Sequence, residues 1–109
     1  MTFKDIARMI SGIGFTSAYM LFPERTQLPP TYVVFHYPQT RAFSADDGSY
    51  KKILTLVIEL YTKDKDFAAE AAVESQLDAY GMIYTRQESY LSDDKMFMQE
   101  YEMEVLIDA

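Results

Sequence analysis

The sequence predicts an α+β fold, a two-layer sandwich in which a mainly antiparallel β-sheet packs against two helices. Three patterns predict it. In YKKILTLVIELYTKD, residues 50–64, Leu54, Leu56, Ile58 and Leu60 fall on one parity, and Lys51, Thr55, Glu59 and Tyr61 on the other, with Ile53 and Val57 among them. Side chains alternate between the two faces of a strand, so the first set forms a continuous apolar stripe. Residues 96–107 alternate in the same way. Two further segments repeat apolar residues at three- and four-residue steps, the period of a helix. Helices with one apolar stripe and a sheet with one apolar face bury each other most simply as two layers.

The first helix is expected over about residues 2–13. Thr2 is placed to cap it, with Asp5 three positions on as a capping-box variant. Phe3, Ile6, Ile10 and Ile13 share a face, and Gly12 and Gly14 end it, because Gly tolerates a left-handed exit. The apolar, aromatic run 15–22 reads as a short strand that Pro23 stops. Residues 23–30 form a polar, proline-rich loop whose Pro-Pro pair favours an extended continuation. TYVVFHY, residues 31–37, is a strand that Pro38 closes, and 41–45 reads as a further short strand. Asp46, Asp47, Gly48 and Ser49 make a turn in which Gly48 is free to take positive φ. After the central strand, Asp66 is placed to cap a second helix over 67–80, with Ala69, Val73, Leu77 and Tyr80 on one face and Gly81 at its end. Strands over 82–91 and 96–107 flank a turn at 92–95. In the last strand Phe97, Tyr101, Met103, Val105 and Ile107 take one parity, and Glu100, Glu102 and Glu104 the other.

At 109 residues, 1–109 is expected to be a single domain with one core. There is no Cys, which excludes disulfides and thiolate metal sites. MTFKDIARMISGIGF has neither a basic start nor a long apolar run, so no signal peptide is expected. No apolar segment approaches the roughly 20 residues that span a bilayer, so no membrane partner is expected. These features suggest a protein made and assembled inside a cell. A net charge of −7 argues against unaided binding to the polyphosphate of nucleic acid.

Chemistry-bearing patterns are sparse. His36, the single histidine, lies in an aromatic strand with no partner in view and reads as structural or surface. The pairs Asp46-Asp47 and Asp93-Asp94 are turn residues, without the patterned oxygen set that calcium needs. No nucleophile elbow and no phosphate-binding glycine loop is present. No catalytic residue, cofactor or metal is therefore expected. Glu100, Glu102 and Glu104 form an acidic row on one strand face, readable either as a solvated surface or as the charged lining of an assembly.

The second half resembles a phage family. The residues are FSADDGSYKKILTLVIELYTKDKD, the helix with EAAVESQL, and YLSDDKMFMQEYEMEV. They are similar to the small tail terminator (tail-to-head joining) proteins of long-tailed phages and prophages. The matching positions are Phe43, Ala45, Asp46, Tyr50 and Lys52, the ELYTK-x-K run from Glu59 to Lys65, Glu70 and Glu74, and Lys95, Met96, Gln99, Tyr101, Glu102 and Glu104. The first half matches in outline, through a helix and Pro29, Pro30 and Tyr32, and the resemblance covers roughly residues 29–107.

The resemblance implies a structural protein without an active site, a homo-oligomer expected to be a hexameric ring. Such a ring caps the tail tube protein and docks a head-completion or connector protein, and DNA passes through it without specific binding. It implies location in the tail or neck of the virion, and in the host cytoplasm during assembly. In such a ring Glu100, Glu102 and Glu104 are candidates for the lumen face. The exposed loops make Glu24, Arg25, Asp46 and Asp47 candidates for contact with a neighbouring subunit or the tube. The alternatives are another small neck protein (a head-completion, stopper or minor tail component) and a non-phage α+β binding module.

Overall fold

The computed structural model describes residues 1–23 and 27–108. Its elements run α1 (Phe3–Ser11), β1 (Thr16–Tyr19), β2 (Thr31–Ser44), β3 (Tyr50–Thr62), α2 (Phe67–Ala79), β4 (Tyr84–Leu91) and β5 (Met96–Ile107). The five strands form one sheet in the order β1-β2-β3-β5-β4. β1 runs parallel to β2, and every other pair is antiparallel. The α+β architecture with two helices against a mainly antiparallel sheet is as the sequence predicts.

β3 is central because it pairs along both flanks, Ile58 standing between Phe35 of β2 and Tyr101 of β5. Its stripe Leu54, Leu56, Ile58 and Leu60 is buried, as are Val33 of β2 and Tyr101, Met103, Val105 and Ile107 of β5. α1 brings Ile6, Met9 and Ile10 onto this face, and α2 brings Ala69, Val73 and Leu77. Burying each Leu or Ile contributes about 1.5–3 kcal/mol, so this one cluster dominates the core. The helices meet where Gly12 lies against the side chain of Gln76, a spot with no room for a Cβ unless Gln76 moves.

Local chemistry sets the helix starts. Asp5 N–H donates to the Thr2 hydroxyl and Thr2 N–H to the Asp5 carboxylate, a reciprocal capping box. Asp66 accepts from Ala69 N–H at 2.9 Å and caps α2. Gly81, at φ 69°, turns the chain out of α2.

Both helices end one or two residues early, α1 at Ser11 and α2 at Ala79, and the strand boundaries differ further from the sequence reading. Pro38 does not close β2, which continues to Ser44 through a register irregularity between His36 and Gln39. A strand tolerates Pro at a bulge or free edge, where no ladder donor is needed. β1 ends at Tyr19, opposite Phe35, so β2 is already an edge there. The run 15–22 is a strand only from Thr16 to Tyr19, because Met20 turns to φ 68° and leads the chain away. β3 ends at Thr62 and β4 starts at Tyr84, each two residues inside the expected bounds.

Continuity of β2 gives the molecule an arm. The β2–β3 hairpin runs on to the turn at Asp46 and Asp47, past the helices, and Thr40, Ala42, Ser44 and Lys52 are exposed although they are on the helix side. Gly48, at φ 84°, supplies the turn. The Cα extents are 50 × 29 × 22 Å and the radius of gyration is 15.1 Å, against roughly 13 Å for a compact chain of this length.

Ile58→Ala is expected to lower the unfolding free energy by about 2–5 kcal/mol. Thr85→Ala, at an exposed position of β4, is expected to change it by about 0.5 kcal/mol or less. Urea unfolding of the two variants measures the contrast.

Candidate functional site

Both helices lie on one side of the sheet, and the other face carries no helix; at its β2 end the segment after β1 lies against it, Phe22 meeting Tyr32 with ring centroids 5.6 Å apart. Sheet alternation places Glu100, Glu102 and Glu104 on that helix-free face, because Tyr101, Met103 and Val105 point into the core. Glu102 and Glu104 are exposed and Glu100 is half-buried. The row has a fourth member. Glu59 of β3 stands directly across from Glu100, and Gln87 of β4 flanks Glu100 on its other side. Two carboxylates in opposite register repel, at a cost of about 0.2–1 kcal/mol. Glu59 was legible as facing away from the Leu stripe, but its pairing with Glu100 is a long-range fact that local periodicity does not carry. Glu104 meets Arg41 of the arm at 3.2 Å, with both side chains more than half exposed. Among the described residues Glu100 and Glu102 make no ion pair.

The β2 and β3 part of this face also carries apolar and aromatic side chains. Val34 and Val57 are buried on this face, Val34 beside Met20, Leu21 and Phe22. Tyr32 stacks on Tyr61 with centroids 5.0 Å apart, and its hydroxyl reaches the Met96 sulfur at 3.6 Å. The Tyr61 hydroxyl donates to Glu59 at 2.9 Å. Burial, then that bond, pushes the Tyr61 phenol well above the ordinary tyrosine range. His36 sits half-buried opposite Val57.

Of the other candidates, Asp46 and Asp47 lie exposed at the tip of the arm. Asp47 accepts from the Ser49 hydroxyl and N–H, which hold its carboxyl below the usual range, so it is a turn residue locally. Glu24 and Arg25 lie outside the described residues. Among the described residues no group of three or more His, Cys, Asp or Glu is placed to hold a metal ion. Among the described residues no helix is long and apolar enough to cross a membrane. The surface hollows are shallow. One of about 540 Å³ opens beside Ile83, Tyr84, Glu102 and Glu104, and one of about 420 Å³ lies where the arm leaves α1, between Phe3, Tyr50, Leu54 and Ile107.

Sequence reasoning missed a polar corner on the helix side. Glu70 of α2 is 3% exposed. Arg86 of β4 holds its Oε1 at 2.7 Å, and Lys65 meets its Oε2 at 2.7 Å as an ion pair off the line of an aligned hydrogen bond. Lys65 also binds Glu88 at 2.5 Å, and Glu88 accepts from Gln99 Nε2 at 2.8 Å. One turn on, Glu74 accepts from the Tyr101 hydroxyl at 2.9 Å and pairs with Arg86 at 3.3 Å. Burial and then the Glu74 bond push the Tyr101 phenol far up. The corner fastens edge strand β4 to α2 by charge, where an edge strand offers little apolar area. Helical spacing of Glu70 and Glu74 and their carboxylate type were visible in sequence, but Arg86, which bridges them, lies 16 and 12 residues away.

Glu70→Ala is expected to cost about 1–3 kcal/mol at neutral pH, the range for breaking a buried polar pairing, read by urea unfolding. The acid limb follows from Glu88. Lys65, then Gln99, hold its carboxyl below the ordinary 4.5, so the unfolded chain takes up the proton first. Its stabilisation is complete above that value and is lost as pH falls through the lower folded one. Lys65 is the reverse: Glu70, then Glu88, hold it above the ordinary 10.5, and its contribution is lost as pH rises past the folded value. The urea midpoint is expected to fall below about pH 4.5, and less steeply in Lys65→Met, where Glu88 lacks its ammonium.

Compared with models of known protein families, the chain matches none, and no curated protein is significantly similar to it in sequence.

Proposed function

We propose that this protein is a structural subunit of a long-tailed phage, a tail terminator that assembles as a ring, caps the tail tube and joins the tail to the head connector. One observation carries the reading: one face of the five-stranded sheet carries no helix, is covered only at its β2 end by the segment after β1, and bears the carboxylates Glu59, Glu100, Glu102 and Glu104. A lone domain gains nothing by setting Glu59 against Glu100. A ring that conducts DNA gains a lumen that repels phosphate, so the duplex passes without sticking. The arm supports the same reading, since it extends beyond the core and holds exposed Tyr50 and Phe43 at its end, as a subunit reaching its neighbour would. The resemblance over residues 29–107 supplies the family and the expectation of six copies. In this reading the chain has no catalytic role, its partners are copies of itself, the tube protein and a connector protein, and its place is the virion neck.

Mass photometry and sedimentation over a range of concentrations, with and without tail-tube protein, test it. A closed species of about six copies, or one that forms on tube ends, is the expected result; a monomer that ignores the tube overturns the assignment. In the same assay the Glu100→Gln, Glu102→Gln, Glu104→Gln triple variant is expected to fold and assemble normally but to retain duplex DNA that the native ring releases at low salt. Equal DNA retention by both rings would place the row away from the lumen.

A further inference from the structure

Among the described residues no strand pairs with the outer sides of β1 and β4, the two ends of the sheet, nor with β2 beyond Phe35. Single-domain proteins ordinarily blunt such edges with outward charges, proline or a covering element, because unpaired N–H and C=O groups template pairing with another chain. β1 reads Thr16-Ser17-Ala18-Tyr19 and carries no charge. β4 carries two, Arg86 and Glu88, and both are turned to the helix side and engaged with Glu70, Glu74, Lys65 and Gln99. Its other face presents Thr85, Gln87 and Ser89, all neutral and exposed.

Exposed apolar side chains follow β1 and precede β4. After β1, Met20 is 60% and Leu21 67% exposed, both bordering a hollow with Tyr32 and Val34, and Met20 is held at φ 68°, a conformation costly for a residue with a Cβ. Beside β4, Ile83 is 91% exposed. The two flanks differ, so they suit a head-to-tail contact, in which two unlike patches meet and repetition closes a ring.

The strand directions agree. β1 runs with β2, against β3, with β5 and against β4. Set side by side in the same orientation, β4 of one copy and β1 of the next are antiparallel, the more stable pairing. Charge agrees as well. Copies with a net charge of −7 repel, and these two neutral edges are where they approach at least cost.

We infer that β4 of one copy pairs edge to edge with β1 of the next, so that the sheet continues around the assembly with its acidic face inward. This rests on the ring reading above and specifies its subunit contact. Its size is consistent: six copies of five strands, at about 4.8 Å per strand, enclose a circumference on the order of 140 Å and a diameter of roughly 45 Å, enough for side chains, water and a DNA duplex. β1 is short, so the main-chain seam fixes register, and Met20, Leu21 and Ile83 supply the apolar contact.

The chain has no cysteine, so single-cysteine variants test the seam directly. Thr16→Cys is mixed with Gln87→Cys, and separately with Ser89→Cys, under assembly conditions and oxidised. A disulfide between unlike variants, at one of the two β4 positions, is expected. Ile83→Glu, at a position 91% exposed in the single chain and with its fold checked by circular dichroism, is expected to abolish assembly by burying an unpaired carboxylate in the apolar contact at the seam. Disulfides only between identical β4 variants would overturn the head-to-tail pairing. A ring that forms with no disulfide and tolerates Ile83→Glu would overturn the seam and leave the terminator reading standing. A protein that stays monomeric with tube protein present would overturn both.

Discussion

The fold depends on β3 being hydrogen-bonded on both flanks while only one of its faces is apolar. Its register against β2 and β5 puts Val33, Leu60 and Gln99 at one level and Phe35, Ile58 and Tyr101 at the next. A slip of one residue on either side would turn a whole strand over and send its carboxylates into the core. That penalty makes the register unique, and it also fixes where the helices go. The face with Leu54, Leu56, Ile58 and Leu60 has the larger continuous apolar area to bury, so both helices take that side. The helix-free face is therefore a consequence of the β3 pattern and not a separate feature.

How much of this was legible follows from the range of each interaction. The capping box of Thr2 and Asp5, the parity of β3 and β5, and the Gly48 turn are local, and each is where the sequence places it. Pro38 was misread because its tolerance depends on β1 stopping at Tyr19, a neighbour distant in sequence. The same limit hid the site's company. Glu100, Glu102 and Glu104 were visible as a row, but Glu59 joins them only through the β3–β5 register, and Arg41 reaches Glu104 only because β2 continues into the arm. Arg86 and Lys65 gave no sign, alone, that they share one carboxylate.

The polar corner explains how an edge strand with so few apolar side chains stays attached. β4 has one neighbour, and six of its eight residues are exposed. Glu70, nearly dry between Lys65 and Arg86, ties the strand to α2 with charge-assisted contacts, which are stronger than neutral ones. The arrangement carries its own cost, because Gln99 Oε1 is buried without a partner. Turning Arg86 and Glu88 inward leaves the outer edge of β4 neutral. Anchoring within the chain and approach between chains thus draw on a single choice of side-chain direction.

In the proposed ring, the distribution of charge limits where copies can touch. Seventeen acidic residues against ten basic ones make any close packing of copies unfavourable, and salt at physiological strength screens that repulsion only beyond about 8 Å. Contacts must therefore form through neutral surface, and carboxylates must remain in water. Burying the face of Glu59, Glu100 and Glu102 against a second copy would set like charges together in a medium of low dielectric, where they repel most strongly. Leaving that face on an aqueous lumen avoids the cost, because water there solvates the carboxylates while the surrounding walls concentrate their field on the axis. The repulsion that would oppose a face-to-face dimer is the same repulsion that would keep a passing polyanion off the wall. A ring joined through its neutral edges satisfies both conditions with the residues where the β3 register puts them.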